Sequence, residues 1–192
     1  MSIKILVSAL ALVFVSCAAN IGGQPMETVD YVDLQRYAGL WYEIAKIPNR
    51  FQKQCAGGTT AEYALLDNGR VQVTNRCRDS DGDLDSITGI ARVVDTTSNA
   101  KLQVSFVRFL GKYWFWGDYW IIGLDEDYDW VVVGNPSRKY GWILARSTQL
   151  SEADLERCYE ILREQEYDPA EFVKTEHNQE NLRSSNKCNS FL

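Results

Sequence analysis

Between Tyr37 and Ser147 the chain keeps returning to one pattern: a short run of alternating apolar and polar residues, closed off by turn-forming ones. Successive side chains of a strand point to opposite faces, so this alternation predicts sheet with one face buried. "TTAEYALL" and "RVQVTNRC" meet at Asp67-Asn68-Gly69, where Asn-Gly supplies a tight hairpin turn. "LDSITGIARVVD" and "AKLQVSFVRFL" meet at Thr96-Thr97-Ser98-Asn99. "YWIIGLDED", "DWVVVGN" and "YGWILARS" follow, split by Asp127-Tyr128 and by Pro136-Ser137-Arg138. With the run that begins at Gly39, these segments predict eight strands in an antiparallel meander. Such a meander buries its apolar face by closing into a barrel or folding into a sandwich.

After Ser151 the period changes. In "EADLERCYEILREQE", Leu155, Tyr159 and Leu162 share one helical face and charges fill the rest. Ser151 is a good N-cap, Glu152 and Asp154 suit the positive end of the helix dipole, and Tyr167-Asp168-Pro169 ends the helix near Glu166. Its narrow apolar face must pack on the outside of the sheet. A short strand is expected near Phe172-Val173, and the chain carries neither an internal repeat nor a second domain.

The first strand, within "RYAGLWYEIAKIPNRF", has no cleanly polar face. Alternation puts Trp41, Glu43 and Ala45 on one side and Tyr42, Ile44 and Lys46 on the other. A closed barrel with a helix lying across part of its exterior would bury both sides, with Tyr42 and Ile44 under the helix. Glu43 then faces inward, where an unpaired carboxylate is costly, so it needs a partner or a polar ligand group.

Net charge is −6 and no basic cluster occurs beyond the first residues, which argues against nucleic acid as a partner. The N-terminal "MSIKILVSALALVFVSC" carries a lysine and an apolar run from Ile5 to Val15, the pattern of a secretory signal. Its Ser16-Cys17 ending resembles a bacterial lipobox, in which the cysteine becomes the lipidated first residue. Ala18 rather than Asp at the next position implies, by that resemblance, sorting to the outer membrane. Residues 1–16 therefore read as a lipoprotein signal peptide and 17–30 as a lipidated N-terminus and flexible tether. Residues 31–174 read as barrel plus helix, and 175–192 as a polar C-terminal tail. Four further cysteines, Cys55, Cys77, Cys158 and Cys188, predict two disulfides in an oxidising compartment, with three pairings open. Their spacing does not suit a metal site.

The chain resembles the lipocalin family. Gly39-Leu40-Trp41 matches its G-x-W signature, and Arg146 in "WILARS" matches the arginine that stacks on that tryptophan. A third motif, often Thr-Asp-Tyr, stands here as Leu124-Asp125-Glu126 with Tyr128 close by. The likeness spans roughly Asp30 to Phe172 and is nearest to the bacterial outer-membrane lipoproteins of the family, then to apolipoprotein D. It implies an all-β fold: an eight-stranded antiparallel up-and-down barrel with one C-terminal helix packed outside. It also implies that Trp41 and Arg146 plug one end of the barrel as a structural pair. An apolipoprotein D-like disulfide pattern would join Cys55 to Cys188. The hairpin between Cys55 and Cys77 instead favours Cys55–Cys77, leaving Cys158–Cys188.

On that frame the inward candidates for ligand contact are Glu43, Ala45, Tyr63, Asn75, Ala91, Phe106, Tyr119 and Trp142. Tyr63 and Asn75 are placed by the resemblance, the others by parity. Gly89 and Ala91 are small and would leave room. "RFLGKYWFWGDYW" holds more aromatic residues than an exposed loop needs. It reads either as a bulged strand or as a lip, a membrane contact or a contact with a second copy. The sole histidine, His177, falls in the polar tail without a nucleophile signature, so no enzyme is expected, and no cofactor. The expected function is binding, storage or transport of a fatty acid or lysophospholipid in the bacterial envelope. The competing expectation is a non-carrier envelope protein whose barrel is filled by side chains.

Overall fold

Turn chemistry delivers the strands in the expected order. The computed structural model describes residues 24–177, so the signal segment, Cys17 and Cys188 lie outside the described residues. Strands β1 (Gly39–Lys46), β2 (Gly57–Leu65), β3 (Val71–Arg78), β4 (Leu84–Val93) and β5 (Lys101–Ser105) each pair antiparallel with the one before. A detached hairpin follows, β6 (Val107–Phe109) and β7 (Lys112–Trp114), which pair only with each other. The meander resumes with β8 (Gly117–Leu124), β9 (Trp130–Gly134) and β10 (Gly141–Ala145), and β10 pairs with β1 to close the ring. The ring is the expected eight-stranded barrel, to which the short β11 (Val173–Lys174) adds at β1.

One end is closed by α1 (Leu34–Tyr37), whose N-cap Asp33 accepts from the amides of Gln35 and Arg36. The Arg146 guanidinium lies 3.8 Å from the Trp41 ring centroid, as the family resemblance implies. It donates to the carbonyls of Leu40 (2.8 Å), Arg36 (2.6 Å), Tyr37 (3.2 Å) and Ala38 (3.0 Å). Trp41 is wholly buried, and its Nε1 donates to Tyr37 O at 2.8 Å. One cation thus ties the turn of α1 to the first and last strands of the ring.

Helix α2 (Glu152–Glu164) begins at Ser151, whose Oγ accepts from the Asp154 amide at 3.1 Å. Its buried face is Cys158 and Leu162, flanked by Leu155, Tyr159 and Ile161, against Ile122, Trp130, Val132, Ile143 and Ala145 of the outer wall. The helix comes so close that a Cβ at Gly123 would stand 2.8 Å from Ile161 Cδ1.

Two expectations are corrected or refined here. Cys55 and Cys77 are bridged, but Cys158 is a free thiol, not half of a disulfide. It points into the seam between helix and barrel with no exposed surface, and burial pushes its thiol up to about 12. The wall also runs past the expected boundary at 174. The Thr175 amide donates to Ile44 O (2.9 Å), and Glu176 O accepts from the Gly58 amide (2.6 Å). Where β2 leaves β1 beyond Tyr42, this C-terminal segment takes its place.

Candidate functional site

The barrel interior falls into two zones. Toward the closed end, Trp41, Ala61, Tyr63, Val71, Val73, Ala91, Leu102, Ile121, Val131, Val133 and Leu144 pack with Tyr37 into one buried cluster. Toward the open end the inward side chains keep contact with solvent: Asn75, Val104, Phe106, Tyr119 and Trp142 are half-buried. Ile87, opposite inward Asn75, is 51% exposed. The floor is therefore packed, and the mainly apolar side chains above it, toward the open end of the lumen, keep some contact with solvent.

Three phenols make the boundary between the zones. Tyr119 Oη stands 2.6 Å from Tyr37 Oη and 2.8 Å from Tyr63 Oη. Burial raises all three pKa values, Tyr63 to about 12, and mutual repulsion adds to the rise at Tyr37 and Tyr119. These groups hold protons in the fold that the unfolded chain releases above about pH 10. The stability they contribute is complete below that pH and is lost as pH rises through the folded values. Denaturant midpoints should accordingly stay level from neutral pH to about pH 9 and fall beyond about pH 10. A midpoint unchanged well above pH 10 would mean that the phenols ionise freely.

At the rim, Glu43 is almost wholly buried and its carboxylate is saturated. Oε1 faces Lys46 Nζ at 2.8 Å and accepts from Thr175 Oγ1 at 2.6 Å, while Oε2 accepts from Gln52 Nε2 at 2.7 Å. Gln52 Oε1 in turn accepts from Trp142 Nε1 (3.2 Å) and Asn49 Nδ2 (2.8 Å). His177 Nε2 donates to Glu43 O at 2.7 Å. A groove of about 430 Å³ opens beside this network, bounded among others by Lys46, Asn49, Arg50, Gln52 and Lys53. Its charged lining is cationic, which suits an anionic group on a ligand.

Of the candidates read from sequence, Glu43, Tyr63, Asn75, Ala91, Phe106, Tyr119 and Trp142 do lie on the inner side. Ala45 does not. A β-bulge sets Glu43 opposite Leu144 but Ala45 opposite Ile143, so Ile44 is an extra residue and the parity flips. Ala45 packs in the outer cluster under the helix, and Lys46 turns inward to meet Glu43. Tyr42 lies on the outer side opposite Ala145, as alternation implies, but its ring meets His177 edge-on at 5.6 Å instead of packing under the helix. Gly89 leaves no room, because a Cβ there would fall 2.6 Å from the Phe106 ring, which already fills the space. Tyr63 and Ala91 belong to the packed floor, leaving Asn75, Phe106, Tyr119 and Trp142 facing the lumen. Sequence reasoning missed Lys46, Gln52, Thr175 and Ile87, and the only available signal was Ile87's shared parity with Gly89.

Residues 32–177 match the family model described as a lipocalin-like domain. The chain is 39% identical over 153 residues to temperature-induced lipocalin-1 of Arabidopsis thaliana, covering 78% of this chain and 82% of the relative. It is 31% identical over 164 residues to the outer membrane lipoprotein Blc of Escherichia coli K12, covering 85% and 89%. Among solved structures, insecticyanin of the tobacco hornworm Manduca sexta superposes with a TM-score of 0.63 at 21% identity, over 82% of this chain and 89% of that one.

Proposed function

Since the chain belongs to the lipocalin family, we propose that it binds one small hydrophobic ligand, a fatty acid or lysophospholipid, in the lumen above the tyrosine floor. The observation that carries this reading is the division of the interior. An eight-stranded barrel holds either packed side chains or one small ligand, and here the lower half is packed while Ile87, Phe106, Tyr119 and Trp142 remain accessible above it. The acyl chain would lie along those side chains, and its anionic end would meet Lys46, Arg50 and Lys53 at the rim. The protein acts by binding rather than by catalysis. It works from the bacterial outer membrane, held by a lipid on Cys17; support for that placement is the lipobox-like sequence and the similarity to an outer membrane lipoprotein of Escherichia coli.

A filled, non-carrier barrel is favoured by one observation, the Phe106 ring seated on Gly89. Mass spectrometry of lipid extracted from the purified protein, with a fluorescence titration by fatty acid and lysophospholipid, separates the readings. Saturable one-to-one binding supports a carrier. No co-purified lipid and no response to either ligand support the filled barrel.

A further inference from the structure

The detached hairpin β6–β7 is not a barrel strand, and the barrel's closure does not need it. Its tip is a two-residue turn with positive φ at both positions, Leu110 at 49° and Gly111 at 76°. Such turns ordinarily take Asn, Asp or Gly, and a leucine there is strained. Leu110 is nonetheless 83% exposed and Phe115 84%, with Val107, Phe109 and Trp114 exposed beside them. Between the hairpin and the outer wall lies a groove of about 510 Å³. Arg70, Arg92, Arg108 and Lys112 line it with Tyr113 and Trp116, and no carboxylate does. Among the described residues none of the four cations forms an ion pair with a carboxylate. Arg92 is held in place by Gln103 (2.7 Å) and by the Trp116 ring (4.1 Å), and Asp118 is reached only through Gln103.

The geometry points to a docking surface for a bilayer of anionic phospholipids: lipid phosphates enter the cationic groove while the hairpin's apolar side chains enter the acyl boundary. A cluster of four cations without counter-charge runs against the chain's net −6, so charge complementarity selects an anionic occupant. A soluble anion would leave the exposed aromatic and aliphatic side chains unused, whereas basic and apolar groups side by side fit the membrane interface. The surface is independent of whatever the barrel holds, and of any lipid on Cys17.

Hydrogen exchange of residues 106–116 in the full chain reads this contact locally, so anything residues 1–23 contribute is common to every comparison. Vesicles of phosphatidylcholine containing phosphatidylglycerol should slow exchange of the hairpin roughly fivefold or more, and about 0.5 M NaCl should remove most of that protection. Phosphatidylcholine alone should give little. Leu110→Asn relieves the turn, so the free hairpin should exchange no faster, yet vesicle protection should fall. Arg108→Gln with Lys112→Gln should abolish the preference for phosphatidylglycerol. Equal protection by glycerol phosphate alone would overturn the proposal in favour of a soluble anion site. Protection that rises with protein concentration without vesicles would assign the surface to a second copy, and full vesicle protection in Leu110→Asn would also overturn it.

Discussion

Arg146→Ala is expected to destabilise the protein by about 3 kcal/mol, through the loss of charge-assisted hydrogen bonds and of the contact with Trp41. Four backbone carbonyls, those of Arg36, Tyr37, Ala38 and Leu40, converge on this one guanidinium. No other donor nearby serves them all, and partial exposure lets water replace only some of what is lost. For a domain of this size that corresponds to a fall of about 10 °C in Tm. Arg146→Lys should recover only part of the loss, because an ammonium keeps the charge but not the planar fork that reaches several carbonyls at once. Trp41→Ala should cost about as much or more, about 3–5 kcal/mol, since it empties a wholly buried indole site at the floor. Calorimetry of the three variants checks the ranking. A Tm shift of a degree or two for Arg146→Ala would show that the arginine decorates the barrel end rather than holding it.

Glu43 is the second point of large leverage. Its carboxylate binds three donors, from Lys46, Gln52 and Thr175, which come from β1, the following loop and the C-terminal segment. Glu43→Ala leaves the Lys46 ammonium, with a side chain only 15% exposed, without its counter-charge. Breaking one partner of a buried pair costs about 3–5 kcal/mol, and the partial exposure of Lys46 puts the expected loss near the lower end. Glu43→Gln keeps the shape and one acceptor, so it should lose less. Adding Lys46→Met to Glu43→Gln should recover stability, because no unpaired charge then remains. Both carboxylate oxygens are occupied within the protein, so Glu43→Gln should change stability more than ligand affinity. The check is a urea titration beside a binding titration on the same samples. An affinity loss of tenfold or more with an unchanged urea midpoint would make Glu43 a ligand contact instead (about 1.4 kcal/mol).

The parts of the fold that were readable from sequence are those governed by local chemistry. Alternation and turn residues located the ring strands, Ser151 and the acidic first turn located the start of α2, and the hairpin between Cys55 and Cys77 favoured the bridge that forms. The misreadings come from features that depend on a neighbouring element. A period-2 pattern carries no mark of a bulge, because the extra residue at Ile44 is defined only against β10, and Ala45 was consequently assigned to the wrong face. Cys158 falls within the helix's apolar stripe, yet a cysteine that follows a signal-like N-terminal sequence reads as a disulfide until its burial is known. The polar sequence Thr175-Glu176-His177 looks like a tail because its role is to supply backbone and side-chain bonds to β1 and β2, which polarity alone does not reveal. Phe106 and Gly89 were both assigned inward correctly, but only their three-dimensional proximity shows that one fills the space left by the other.

The central claim is that a ligand occupies the lumen beside Trp142, above the phenol floor. Its most direct test is quenching of tryptophan fluorescence by a fatty acid brominated along its chain, in the wild-type protein and in Trp142→Phe. The account predicts saturable quenching with one equivalent in the wild type, most of which disappears in Trp142→Phe, a variant that stays folded while losing about 1 kcal/mol with the bond to Gln52. Undiminished quenching in Trp142→Phe would put the ligand elsewhere, and no quenching in the wild type would contradict the account outright.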